Sequence, residues 1–185
     1  MNHLQTSAVV RFRTAARAYC AHVESRHALT PSEWLVRVHA LLVELYAAGL
    51  ALPAVEPDTE NANPEHRAYE DWKHMHDDFG HAFDRWNFYQ VMFDPYDADE
   101  DKPVYGSLGD DFADIYADVR RGEDHERGRG HRYPNDVVWE WRFAFESHWA
   151  GHATHALCAL ATMQFVHYAQ AVPESFGSWI SGGAT

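Results

Sequence analysis

From Val9 onward, apolar residues recur at Phe12, Ala16, Tyr19 and Val23, the three-and-four spacing that gathers side chains on one face of an α-helix. A first helix is predicted over about residues 5–27. Thr30-Pro31-Ser32-Glu33 then has the residues of a capping box, with proline in the first turn where its missing N–H costs nothing. The second helix that starts there carries Trp34, Val38, Leu41, Leu45 and Leu52 as its stripe and ends near Pro53. Pro57 and Pro64 bracket a polar linker over residues 53–64, expected to be exposed.

A third stripe runs through Trp72, Met75, Phe79, Phe83, Trp86, Gln90 and Phe93, keeping helical period despite Gly80. It reads as one long helix or two joined at a kink, stopped by Asp94-Pro95. Residues 94–106 form an acidic loop. Ser107 is a good N-cap for a fourth helix, Leu108 to Arg121, with aspartates at its positive end and Arg120 and Arg121 at its negative end. Residues 122–134 then read as a Gly- and Arg-rich loop. The last long pattern begins near Pro134 and places Val138, Trp141, Phe145, His152, Ala156, Ala159 and Met163 on one face, reaching roughly to Gln170 before Pro173. Alternating polarity of strand length is not evident, nor is any internal repeat. The fold class predicted is all-α: an antiparallel bundle of about five principal helices, one domain over residues 1–185 with an ordered core at about 5–170 and a short polar C-terminal tail.

Composition narrows the function. The 185 residues carry 28 acidic against 15 basic side chains, a formal charge of −13, so the mean field repels phosphate backbones and anionic lipid heads. Nucleic acid and membrane surfaces are therefore not expected partners. Arg11, Arg13 and Arg17 interrupt any signal-peptide core, and no stretch approaches the ~18 apolar residues of a membrane span, so the expected location is cytoplasmic. Fourteen histidines make the net charge sensitive to pH between about 5 and 7. Cys20 and Cys158 fall in helical patterns without metal-ligand spacing and are expected to be buried free thiols.

The stretch Asp110–Asp118 carries the most suggestive chemistry. Leu108, Phe112, Ile115 and Val119 fall on one helical face, with Asp111, Asp114 and Asp118 as a stripe about a quarter-turn away. Like charges at that spacing repel, so a cationic partner is expected opposite. His148, His152 and His155 on the last helix offer one, with His152 near the middle of the apolar face. If the fourth and fifth helices are neighbours, Asp111, Asp114, His148 and His152 form a mixed carboxylate and imidazole set suited to Zn, Mn or Fe, which could activate water for hydrolysis. The plainer reading, favoured over a metal, has these residues hydrogen-bonding one another, Trp and Tyr donors, and Arg142.

Other clusters say less. Asp97–Asp101 imitates the start of a calcium loop, but Lys102 replaces the turn glycine and Leu108 the bidentate glutamate. Arg127, Arg129 and Arg132 could grip a phosphate or carboxylate, although neutralising neighbouring acids is the favoured role. His74, Asp78 and His81 have metal-like spacing but point away from their apolar stripe and read as surface decoration. Nucleophile-elbow and phosphate-loop patterns are missing.

Asp110-Asp111-Phe112-Ala113-Asp114-Ile115-Tyr116, Trp139-Glu140-Trp141-Arg142-Phe143, His148-Trp149, Phe93-Asp94-Pro95 and Leu52-Pro53 together resemble an uncharacterised bacterial family, domain of unknown function number five-zero-six-three. The likeness extends over nearly the whole chain. Phe112 stands where the family pattern has Leu, and Ala150 where it has Gly after His-Trp. The resemblance implies an all-helical domain with no assigned activity, cofactor or substrate.

Three functions stay open on the sequence: a non-catalytic interaction domain, an acidic inhibitor, immunity-like or scaffold protein with a basic protein partner; a metal-dependent hydrolase using the Asp/His set; and, third, a small-anion sensor using the Arg loop.

Overall fold

The computed structural model describes residues 3–60, 62, 69–92, 94, 96, 102–166 and 176–180. Helix α1 (Ser7–Glu24) buries Val9, Phe12, Ala16, Tyr19 and Val23, the face its periodicity predicts. A 3-10 turn, Arg26–Ala28, leads to α2 (Pro31–Gly49). Its capping box is closed in both directions, with the Glu33 N–H donating to Thr30 Oγ1 and the Thr30 N–H to the Glu33 carboxylate at 3.0 Å. Trp34, Val38, Leu41, Leu45 and Leu52 are all buried.

Helix α3 (Tyr69–Phe83) stops earlier than its apolar spacing suggests. Asp84 takes φ 48°, a left-handed conformation that aspartate tolerates better than most residues, and a 3-10 turn at Asp84–Trp86 redirects the chain into a short hairpin. Strand β1 (Phe88–Val91) pairs antiparallel with β2 (Val104–Ser107), Phe88 opposite Ser107 and Val91 opposite Val104. Trp86 and Gln90 thus matched a helical period by coincidence, and part of the expected acidic loop is strand. Phe93 and Asp97–Asp101 lie outside the described residues.

Helix α4 (Leu108–Arg129) begins where Ser107 Oγ accepts the Asp110 N–H at 3.3 Å, and buries Leu108, Phe112, Ile115 and Val119. It continues past Arg121, through the segment expected to be a Gly- and Arg-rich loop. The acids interleaved there explain this. Arg120 pairs with Glu123 at 3.0 Å, Arg127 with Asp124, and Arg13 of α1 with Glu126 at 2.7 Å, so side-chain pairing offsets the poor helix propensity of the glycines.

Helix α5 (Pro134–Ala144) and helix α6 (Ala150–Phe165) form one interrupted rod, joined by a π-turn at Phe145–Trp149 in which the Ala150 N–H bonds the carbonyl of Phe145. The wider turn shifts the face that meets the core. From its last residue, Trp149, onward the buried residues are Trp149, Ala153, Ala156, Leu160 and Met163, so His152 and Ala159, expected on the buried stripe, move to its edge. The predicted linker is also less free than expected. Leu52 and Ala62 are buried, and the Asp58 and Thr59 N–H groups donate to Asp136 Oδ1 at 2.7 and 3.0 Å, tying the linker to the first turn of α5.

The fold is all-α apart from the hairpin. Helix α4 is central, packing against α1, α3, α5 and α6, and so its outer edge is flanked on both sides. Trp34 sits among Phe79, Phe83, Phe112 and Trp179, while Phe12 meets Trp141 and Trp149. Helices α3 and α4 approach closely where a Cβ on Gly109 would stand 2.9 Å from the His76 carbonyl oxygen. Among the described residues, no helix is long and apolar enough to cross a membrane.

Candidate metal centre

The aspartate stripe of α4 and the histidine stripe of the last rod do meet. His148 Nδ1 lies 2.7 Å from Asp118 Oδ2, and His152 Nδ1 lies 3.0 Å from Asp111 Oδ1. In the neutral tautomer that donates Nδ1–H to the carboxylate, each Nε2 carries a lone pair, and both Nε2 atoms face Asp114. His152 Nε2 is 3.4 Å and His148 Nε2 4.0 Å from Asp114 Oδ2. The other oxygen of Asp114, Oδ1, accepts the Trp72 indole N–H at 2.7 Å.

His148 and His152, four residues apart, lie on one side of the rod, and each immediately precedes a buried residue, Trp149 and Ala153, so the two emerge together at the rim. Their rings stand 5.0 Å apart. Asp111 is fixed from its other side by Tyr89, whose hydroxyl donates to Oδ2 at 2.5 Å. Tyr89 lies across the hairpin from Gly106, where a Cβ would come within 2.6 Å of the tyrosine ring, so the glycine leaves room for the ring. Asp118 is held by Arg121 at 3.1 Å, and Arg121 also reaches Glu140 at 2.9 Å.

Of the four residues expected to be metal ligands, Asp114, His148 and His152 offer atoms that all lie within 4.8 Å of one another. Ligand atoms about 2.0–2.2 Å from a tetrahedral zinc stand roughly 3.3–3.6 Å apart; the 3.4 Å pair already fits, the 4.0 Å pair must contract, and the two imidazole nitrogens lie within 4.8 Å of each other. Asp111 instead sits behind His152. It belongs to a second set with Asp110 and His152 that meets the same distance limit, using the nitrogen already bonded to Asp111. A carboxylate behind each imidazole is the arrangement metal-binding histidines use to fix tautomer and ring orientation.

The electrostatics suit a cation. Asp110, Asp111, Asp114, Asp118 and Glu140 crowd one edge of two helices. Burial pushes the Asp111 and Asp114 carboxyls above the ordinary aspartate range, against the opposing pull of the histidines. Hydrogen bonds to Asp118 and Asp111, respectively, hold the His148 and His152 imidazoliums above the ordinary histidine range. Protons and a divalent ion are thus alternative ways to neutralise the same cluster.

Beside Asp114 and His148 opens a groove of about 570 Å³, lined by Ala117, Asp118 and Arg121 of α4 and by Tyr69, Trp72 and Phe143. The sequence patterns do not single out Tyr89, Trp72 or Arg121 as site residues. Trp72 looks like core, Arg121 like a helix end, and Tyr89 is hidden inside a false helical stripe. The aromatic and β-branched run Phe88–Val91, matched by Val104–Ser107 beyond a turn-rich stretch, is the signal that could reveal the hairpin and with it Tyr89.

The remaining candidates lie elsewhere. His155 lines a separate pocket of about 370 Å³ with Cys158, which is exposed; Cys20 is buried, and both thiols are free. Arg142 does not join the aspartates but bonds the Leu52 carbonyl and Glu146. Arg127 and Arg129 are on α4 rather than in a loop. Arg127 pairs with Asp124 and Arg129 with Asp136 at 3.5 Å, while Arg129 and Arg132 both lie over the Tyr133 ring. Asp78 is not surface decoration. It is fully buried and accepts from Arg26 at 2.5 Å and from the Ile180 N–H at 2.7 Å, while His74 and His81 on the same helix are exposed.

No curated protein matches the sequence. Among solved structures, the crystal structure of protein BF1032 from Bacteroides fragilis is similar, with a TM-score of 0.74 at 18% identity, covering 88% of this chain and 95% of that one. At that identity the likeness shows a shared fold. Residues 4–166, which hold both helices of the Asp/His cluster, match a family described as "Domain of unknown function (DUF5063)", and the chain belongs to that family.

Proposed function

We propose that this protein binds one divalent transition-metal ion through Asp114, His148 and His152 and uses the positions left open toward the groove for hydrolysis of a small substrate. The observation that carries this reading is the orientation of the two imidazoles. Each is anchored through Nδ1 on its own carboxylate, leaving both Nε2 atoms directed at one oxygen of Asp114. Two histidines and one carboxylate leave coordination sites for water and substrate, and the donor set suits Zn, Mn or Fe. A metal there would supply a water acidic enough to be a nucleophile near neutral pH. The protein's own contribution is positional: Trp72, Asp111 and Asp118 hold the ligands, and the groove receives the substrate next to them.

The test is elemental analysis of protein purified without chelator or affinity tag, with titration of Zn²⁺, Mn²⁺ and Fe²⁺ into the metal-free form. About one equivalent per chain is expected, lost in Asp114→Asn, His148→Ala and His152→Ala. Substoichiometric metal that these substitutions leave unchanged would reduce the cluster to a network of mutual ion pairs.

A further inference from the structure

The groove beside the cluster is lined by Tyr69 and Trp72 of α3, by Phe143 of α5 and by Ala117, Asp118 and Arg121 of α4, and its rings are stacked in turn on neighbours. On α3, Tyr69 stacks on Trp72 with centroids 5.7 Å apart, and Trp72 on His76 at 5.1 Å. On α5, Phe143 stacks on Trp139 at 4.9 Å and 7°. Both helices pack on α4, and between them Ala117 and Ala144 keep the groove open. Tyr69 and Phe143 leave 65% and 47% of their surface to solvent, a large apolar exposure for rings that border a concave site.

We infer that this groove selects a small uncharged aromatic substrate, its ring held between the Tyr69–Trp72 stack and Phe143 with its reacting group toward Asp114. The inference rests on the metal reading for the reacting end but on the rings alone for the substrate class. Rings offered from two sides favour a planar apolar guest through burial and offset or edge contacts. Charge decides against an anion. Asp114 and Asp118 line the groove, and the Arg121 guanidinium that also lines it is already engaged by Asp118 and Glu140. An anionic group lying along the groove away from the metal would meet the Asp118 carboxylate with Arg121 already engaged, whereas the neutral ring and linkage of an aryl ester or amide meet no such repulsion.

The experiment compares benzohydroxamate, acetohydroxamate and phenyl phosphate on zinc-loaded protein by calorimetric titration. Benzohydroxamate should bind about 10-fold more tightly than acetohydroxamate, the size of one good aromatic contact. Phe143→Ala combined with Tyr69→Ala should bring that ratio close to one while leaving acetohydroxamate and zinc affinities in place. Phenyl phosphate should bind more weakly than benzohydroxamate. Equal binding of the two hydroxamates, a ratio that survives the double substitution, or a preference for phenyl phosphate would overturn the substrate class and leave the metal site standing. If zinc itself does not bind, benzamide and acetamide are compared on the metal-free protein through the Trp72 indole proton resonance. A shift with benzamide alone that needs Phe143 supports the aromatic subsite without the metal, and no shift overturns both.

Discussion

The Trp72 indole N–H donates to Asp114 Oδ1 at 2.7 Å, so a side chain of α3 orients a carboxylate carried by α4. One oxygen of Asp114 is thereby occupied and the other left facing both histidines. Trp72→Phe keeps most of the ring and removes the donor. Metal affinity, read by chelator competition, should fall by about 10-fold or more while stoichiometry stays the same and thermal stability changes little. Unchanged affinity would make the hydrogen bond a structural contact only.

Asp78 ties the C-terminal segment to α3 and to the α1–α2 turn. It is fully buried, with Arg26 at 2.5 Å, His27 at 3.2 Å and the Ile180 N–H at 2.7 Å around it. Asp78→Ala leaves the Arg26 guanidinium, itself only 11% exposed, without its counter-charge. Breaking such a pair costs about 3–5 kcal/mol, and urea denaturation should show a loss of that order. A loss under about 1 kcal/mol would mean that solvent reaches Arg26 readily.

Helix faces were legible in the sequence because burial follows period directly. Every stripe residue of α1 and α2 is inside, and Ser107 and Thr30 cap where their chemistry says they should. The errors come from competing local rules. Trp86 and Gln90 fit a helical spacing that Asp84 breaks with one left-handed residue, and the glycines after Arg121 imitate a loop that ion pairs hold helical. The π-turn inserts a register shift that no hydrophobic pattern announces, and it moves His152 from the middle of the expected apolar stripe to its edge. Asp114, His148 and His152 could therefore be named from spacing, while Asp111's place behind His152 and the roles of Trp72 and Tyr89 depend on tertiary geometry. Formal charge alone favours a basic protein partner; the metal reading gains its weight from the two oriented imidazoles.

Gly122 lies in mid-helix, where alanine would ordinarily gain about 1 kcal/mol of helix propensity. Here a Cβ would stand 2.2 Å from Nε1 and 2.3 Å from Cδ1 of Trp141, a ring that is 2% exposed and packed on Phe12. A buried indole is not the flexible end of a long side chain and cannot give way cheaply, so overpacking wins. Gly122→Ala should destabilise by about 1–3 kcal/mol in denaturant unfolding, with Trp141 emission altered. A gain in stability would show that α4 and α5 can separate slightly at no cost.

His125 gives a pH dependence whose sign can be worked out. The residue is 5% exposed, and neither ring nitrogen has a hydrogen-bond partner among the described residues. Burial first, and then the nearby Arg129, hold its pKa below the ordinary 6.5, with Asp136 pulling weakly the other way. As pH falls through about 6.5 the unfolded chain takes up a proton here and the folded chain does not, so unfolding becomes progressively easier until the lower folded-state pKa is reached. Other buried groups run the opposite way. The Glu140 carboxyl is raised by burial, so the folded state binds its proton more readily than the unfolded chain and gains from acidification. Only a paired comparison therefore isolates the histidine. His125→Leu removes two unpaired buried nitrogens, and at about pH 7.5 it should be as stable as the parent or slightly more so. Its advantage in urea midpoint should grow as pH is lowered to about 5.5, because the parent alone bears the titration. An advantage that stays constant across this range, or shrinks, would mean that His125 is protonated inside the fold.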